Sequence, residues 1–207
     1  MAIQAVPKSP PLMTVAEFLE WPGDGTDTRY ELVEGELRAM APASGTHGTI
    51  HGRLSAAIVA HLDAKRPGCR LIVAPGVQPH LRADWNHRIP ELGVTCTPST
   101  VGEQMVPDPI LLIEILSPSN ATETWSNVPL YSTVPSVIEI LIVYSTKVAA
   151  EILRRGDDGR WPRNAEPIGP DGMIRLQSIG LELPLREVYR GTHLAESFDE
   201  VDDEYRL

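Results

Sequence analysis

The sequence predicts an α/β (α+β) domain in which one mixed β-sheet is flanked by helices. Three observations carry this. Short aliphatic or β-branched runs (CRLIVAPGVQPHL, RIPELGVTC, PILLIEILSPS and VIEILIVYS) follow one another between residues 69 and 145, divided by Pro, Asn, Asp and Ser. Two of them, around Ile113 and Ile140, are apolar almost without interruption, as central strands covered on both faces are. Between Thr46 and Lys65, Ile50, Leu54, Ala57, Ile58 and Leu62 recur at spacings of three and four, the period of a helix with one buried face.

In chain order, residues 1–12 read as a Pro-rich flexible lead to a domain spanning 13–192. Thr14 followed by Glu17 is a capping box that opens a short helix with Val15, Phe18 and Leu19 on one face. RYELV and ELRAM flank Glu34-Gly35, a hairpin turn in which glycine takes a positive φ. The helix from Thr46 stops at Pro67-Gly68, after which the strand runs begin. Glu123 to Ser132 reads as helical, with Pro129 confining it to a first turn or kinking it. VAAEILRR, a turn at Gly156-Asp157-Asp158-Gly159 and GMIRLQSIGLELPL add further strands to the same sheet. Residues 193–207 have the composition of a solvated acidic tail.

The chain has 207 residues with 18 Lys or Arg against 28 Asp or Glu, a net charge of −10. That excludes a protein that coats nucleic acid by phosphate neutralisation, and the only lysines are Lys8, Lys65 and Lys147. Half of the net charge lies in residues 191–207, where six acids face Arg206. No apolar run approaches the roughly 20 residues that span a bilayer, and the N-terminus lacks a signal-peptide core, so a cytoplasmic protein with no membrane partner is expected. In such a reducing compartment Cys69 and Cys96 are expected as buried thiols.

Three carboxylates interrupt strands that otherwise call for aliphatic residues: Glu31 in RYELV, Glu91 in RIPELGV and Glu114 in LLIEIL. A buried carboxylate is costly without a cation or a set of donors. One strand glutamate ordinarily faces solvent or pairs with an arginine such as Arg29, Arg53 or Arg88; three together favour a functional cluster. Converging at a sheet edge they would suit a hard cation, Mg²⁺ or Mn²⁺. Pro107-Asp108 precedes Glu114 by six residues but starts the same strand, about 20 Å away, too far to share an ion. His47 and His51 share a helical face; a solvated or hydrogen-bonded pair outweighs a metal role, though His47 is placed to border a cleft. Arg154, Arg155, Arg160 and Arg163 form a basic cluster that reads as a solvated hairpin before a phosphate contact. Trp125 and Tyr131 read as core or helix-packing residues.

The succession MTVAEFLEW, RYELVEGELRAMAP, THGTIHGRL, RIPELGVTC and IEILSPSNATETWSNVPLYSTVPSVIEILIV, ending in SIGLELPLREVY, resembles a bacterial restriction-endonuclease family, a branch of the PD-(D/E)XK nuclease superfamily, over residues 12 to 190. The resemblance implies a restriction-endonuclease-like core that cuts DNA with a divalent metal. It places the family's metal-binding carboxylates on Glu31, on Glu91 in a Pro-Glu that replaces Pro-Asp, and on Glu114. The superfamily's lysine falls on Leu116 or, in this family's usual helical position four residues before a tyrosine, on Asn127, with Tyr131 marking the register. Neither is cationic: asparagine orients water or a phosphate oxygen only by hydrogen bonds. Lys147, at a strand end, is a poor substitute.

Two readings therefore stand. One is a Mg²⁺- or Mn²⁺-dependent DNA endonuclease with a degraded motif, in which Glu31, Glu91 and Glu114 bind metal and Asn127 occupies the lysine place. The other is a catalytically inactive nuclease-fold protein with a binding or regulatory role. Whether the chain is an enzyme stays open between them. Either way, so few lysines make DNA binding weak and dependent on metal or a partner, and a homodimer would suit an enzyme cutting two strands.

Overall fold

The protein is described by a computed structural model covering residues 12–118 and 120–195, so most of the expected lead and acidic tail lie outside the described residues. Helix α1 (Val15–Glu20) starts at the expected box, with the Thr14 hydroxyl accepting from the Glu17 amide and the Glu17 carboxylate returning to Thr14. Strands β1 (Tyr30–Val33) and β2 (Glu36–Ala39) form the expected hairpin. Its turn residues Glu34 and Gly35 have φ of 53° and 86°, the paired positive values of a turn that matches strand twist. Helix α2 (Gly45–Lys65), capped by Ser44, buries Ile50, Leu54, Ile58 and Leu62.

The six-stranded sheet runs in the order β3 (Arg70–Val73), β4 (Leu92–Thr95), β5 (Pro109–Leu116), β6 (Glu139–Tyr144), β7 (Ala150–Arg154), β8 (Glu166–Ile168). Only β5 and β6 pair in parallel, and α3 (Ala121–Tyr131) makes the crossover between them. Side chains alternate along β5. Leu111, Ile113 and Ile115 join the cluster under α2, while Leu112 and Leu116 join Val128 and Tyr131 under α3. Glu114 has the parity of that second face. Both faces are covered, which accounts for the unbroken apolar character of these strands. No helix among the described residues is long and apolar enough to cross a membrane.

The fold departs from expectation in several places. The segment after Gly172 does not enter the main sheet; it folds on itself as β9 (Met173–Leu176) and β10 (Leu181–Pro184), and β1–β2 likewise stands as a separate two-stranded sheet. A further helix, α4 (Leu185–Tyr189), follows, too short for a periodic signal, and buries Leu185, Val188 and Tyr189. Helix α3 begins at Ala121 and holds Pro129 near its end, not in its first turn. The carbonyl deprived of a donor there is that of Trp125, on the exposed side. Cys69 and Cys96 are joined by a disulfide. Arg70 pairs with Thr95 across β3 and β4, so the cysteines one step beyond face each other. The basic cluster is no solvated hairpin at its base: Arg154 binds Glu139 and Glu166, and Arg155 donates to the carbonyls of Ser132, Val134 and Pro135.

Candidate functional site

Antiparallel pairing sets Leu92 opposite Ile113, so the preceding residue, Glu91, comes level with Glu114 where β4 begins, while β5 stays paired with β6 as far as Leu116. The crossover then returns α3 over this end of the strand, and the β1–β2 hairpin closes the other side. The hairpin is anchored by a two-way backbone bridge, Leu32 N to His87 O at 2.9 Å and His87 N to Leu32 O at 3.0 Å. The result is a cavity of about 1060 Å³ whose walls include Glu31, Glu91, Glu114 and Asn127 together with His47 and Glu123. All four residues singled out by sequence thus face one space.

Glu114 is buried, and its Oε1 accepts from the Tyr131 hydroxyl at 2.7 Å and, at the long distance of 3.4 Å, from the Asn127 amide. These donors do not offset its desolvation. Burial raises its pKa to about 8, with the carboxylates of Glu91 and Glu123 adding to the rise. Glu31 is also raised to about 8, by burial and by the neighbouring Glu123, against the Arg88 guanidinium 3.5 Å away. Arg88 is one of the pairings an ordinary strand glutamate would make, and it is not enough to restore Glu31 to the usual carboxylate range. Two acids pushed up by burial and by neighbouring carboxylates form a site short of positive charge.

Glu91 is placed differently. His47 Nε2 lies 2.9 Å from Glu91 Oε1, and His51 Nε2 lies 3.3 Å from the Glu91 carbonyl oxygen. Of the two expected alternatives the histidines are thus the hydrogen-bonded pair and not the solvated one, and both reach across to the start of β4. Glu123 was missed by sequence reasoning, although a signal existed: it precedes Asn127 by one helical turn and so shares its face. Tyr131 is fully buried, as a helix-packing residue should be, whereas Trp125 is 38% exposed and does not enter the core. Asp108 lies at the far end of β5, where its carboxylate accepts from the Thr97 hydroxyl. Among the described residues no lysine stands in the cavity walls, and the Lys147 ammonium sits over the Tyr144 ring, 4.2 Å from its centre.

Among the described residues no three His, Cys, Asp or Glu side chains are already gathered as a ligand set. The chemistry of the donors nonetheless fits a divalent cation. Hard oxygens line the cavity, and two of the carboxyl groups are raised in pKa by burial and by neighbouring carboxylates, costs that a cation would relieve.

A family model described as "putative restriction endonuclease" matches residues 15–186. An uncharacterized protein of the cyanobacterium Synechocystis sp. is 30% identical over 189 residues, which cover 89% of this chain and 96% of that protein. The crystal structure of a "putative nuclease belonging to DUF820" from Anabaena variabilis superposes with a TM-score of 0.69 at 18% identity, covering 86% of this chain and 97% of that one, a likeness of fold. With the family model covering most of the folded chain, from α1 into α4, this protein belongs to the Uma2 family of restriction-endonuclease-like proteins.

Proposed function

We propose that the protein is a divalent-cation-dependent nuclease acting on DNA, with Glu31, Glu91 and Glu114 as the metal-binding carboxylates and Asn127 in the place of the superfamily lysine. The observation that supports this most is the gathering of those four residues, from β1, the start of β4, β5 and α3, around one cavity, two of them as carboxylates lacking compensation. A bound Mg²⁺ or Mn²⁺ would supply a nucleophilic water at neutral pH and offset charge on the phosphodiester. The chain's own residues have separable tasks. Tyr131 and Asn127 orient the Glu114 carboxylate through Oε1, and Arg88 fixes Glu31 from behind. His47 holds Glu91. Asn127 can also orient a water or a phosphate oxygen through its amide. A homodimer is the assembly that would let one such site serve each strand of a duplex.

The second reading, a nuclease-fold protein that binds without cutting, is favoured by the absence of any lysine from the cavity walls. Plasmid cleavage in Mg²⁺ and in Mn²⁺ separates the two. The nuclease reading expects nicking by the natural chain, abolished by Glu114→Ala and accelerated at least about tenfold by Asn127→Lys, the scale of a positioned proton-transfer or charge-stabilising group. Cleavage that appears only after Asn127→Lys would establish the binding reading and overturn the first.

A further inference from the structure

The pair formed by His47 and Glu91 is the part of the cavity that the family's carboxylate chemistry does not require. His47 lies in the first turn of α2, its backbone amide donating to the Ser44 hydroxyl that caps the helix, so the ring is carried on a fixed base. It is 6% exposed, its Nδ1 is buried without a hydrogen-bond partner, and Nε2 reaches Glu91 at 2.9 Å. The ring's polar edge is therefore turned toward Glu91 and the cavity. Asn127 lines the same space; the residue is 4% exposed and its Oδ1 also has no hydrogen-bond partner. The Asn127 oxygen, buried beside acids and without a donor, points to an occupant that accepts electron pairs, and His47 Nε2, which meets Glu91 in the same cavity wall, is the imidazole nitrogen placed to share it.

Spacing and donor type narrow that occupant. Adjacent ligands on an octahedral ion with bonds of about 2.1 Å stand about 3.0 Å apart. The observed 2.9 Å between Nε2 and Oε1 is the length of a hydrogen bond and also matches this separation, so an ion that displaced the proton between them to solvent could bind that edge while the two side chains keep their mutual distance. Imidazole nitrogen is a poor partner for Mg²⁺ and a good one for borderline transition ions. Resting on the metal-site reading above, we propose that His47 Nε2 is a ligand of that site beside Glu91, and that it makes the site select a transition-series divalent ion over Mg²⁺.

The test uses the full chain with Mn²⁺ and Mg²⁺ as probes, in titration calorimetry and, for Mn²⁺, in pulsed electron paramagnetic resonance that detects directly bound ¹⁴N. The expected result is Mn²⁺ binding at least about tenfold tighter than Mg²⁺, with a ¹⁴N modulation in the Mn²⁺ spectrum. His47→Ala should abolish the modulation and weaken Mn²⁺ about tenfold or more while changing Mg²⁺ binding less than about threefold. His47→Asn, which keeps a donor near Glu91, should do the same and stands in if the alanine variant fails to fold. His51→Ala should leave modulation and affinity intact. A wild-type spectrum without ¹⁴N modulation, or one retained in a folded His47 variant, overturns the proposal. If Mn²⁺ binding is lost in Glu114→Ala but indifferent to His47, this proposal falls and the metal site stands. If the natural chain binds neither ion, both fall.

Discussion

Glu114 and Tyr131 show how far one hydrogen bond governs this cavity. The Tyr131 hydroxyl is the shorter of the two donors on a buried carboxylate, and it opposes the rise in that group's pKa. Tyr131→Phe keeps the ring's packing and removes the donor, so it should cost about 1–3 kcal/mol of stability, as for a buried acceptor left unsatisfied. Denaturant unfolding of the two proteins in metal-free buffer measures it; a loss below about 0.5 kcal/mol would mean water serves Glu114 equally well. At this scale the sequence was informative where a residue type conflicted with its surroundings. Glu31, Glu91 and Glu114 stood out because acids are costly in aliphatic strands. His47 and His51 stood out as a pair on one helical face, but not as the partners of Glu91, because they lie about forty positions earlier and no local pattern records which strand start a helix will face.

Elements were legible in proportion to their length and periodicity. Helix α2 and strand β5 follow from spacing alone, and the capping box and Glu34-Gly35 turn mark their own ends. What was not legible was membership: local alternation tells that GMIRLQ and GLELPL are strands, but not that they pair only with each other. The disulfide is of the same kind. It depends on the register of β3 against β4, which brings together residues 27 apart in sequence. Closing a loop of that size removes about 3–4 kcal/mol of unfolded-state freedom in the chain-entropy model. Equilibrium unfolding with and without a thiol reductant should show a loss of that order, and Cys96→Ser should make the protein insensitive to reductant. Equal stability in both buffers would show that the edge strand β3 holds its place without the bond.

For the whole molecule, the two perturbed glutamates set a pH response. Each binds a proton in the folded state up to about pH 8, well above the ordinary carboxylate value of 4.5 that the unfolded chain approaches. Between these values the folded state holds more protons, so stability is greatest on the acid side and is lost as pH rises through about 8. Buried His87 acts in the opposite sense, its pKa lowered to about 4 by desolvation, but only below its ordinary value of 6.5. From pH 6.5 to 8 these two glutamates favour the protonated folded state without opposition from His87, and metal-free protein should lose melting temperature steadily over that interval. A divalent ion competes with those protons, so its stabilising effect should be larger at pH 8 than at pH 6.5. Melting curves that are flat from pH 6.5 to 8 would refute the assigned protonation of Glu31 and Glu114.

The separate β1–β2 sheet has a consequence for how such a site can change over evolution. Glu91, Glu114 and Asn127 come from consecutive segments within residues 91–127, bound into the main sheet and its crossover, whereas Glu31 arrives on a separate hairpin joined to the segment before β4 by the Leu32–His87 bridge and the Glu31–Arg88 and Glu34–Asn86 pairs, and to α3 by Arg38–Glu123. Three walls are thus inherited together with the core and cannot drift without unsettling it. The fourth is modular: substitutions in the hairpin can reshape the entrance and alter what fits inside while the sheet stays as it is.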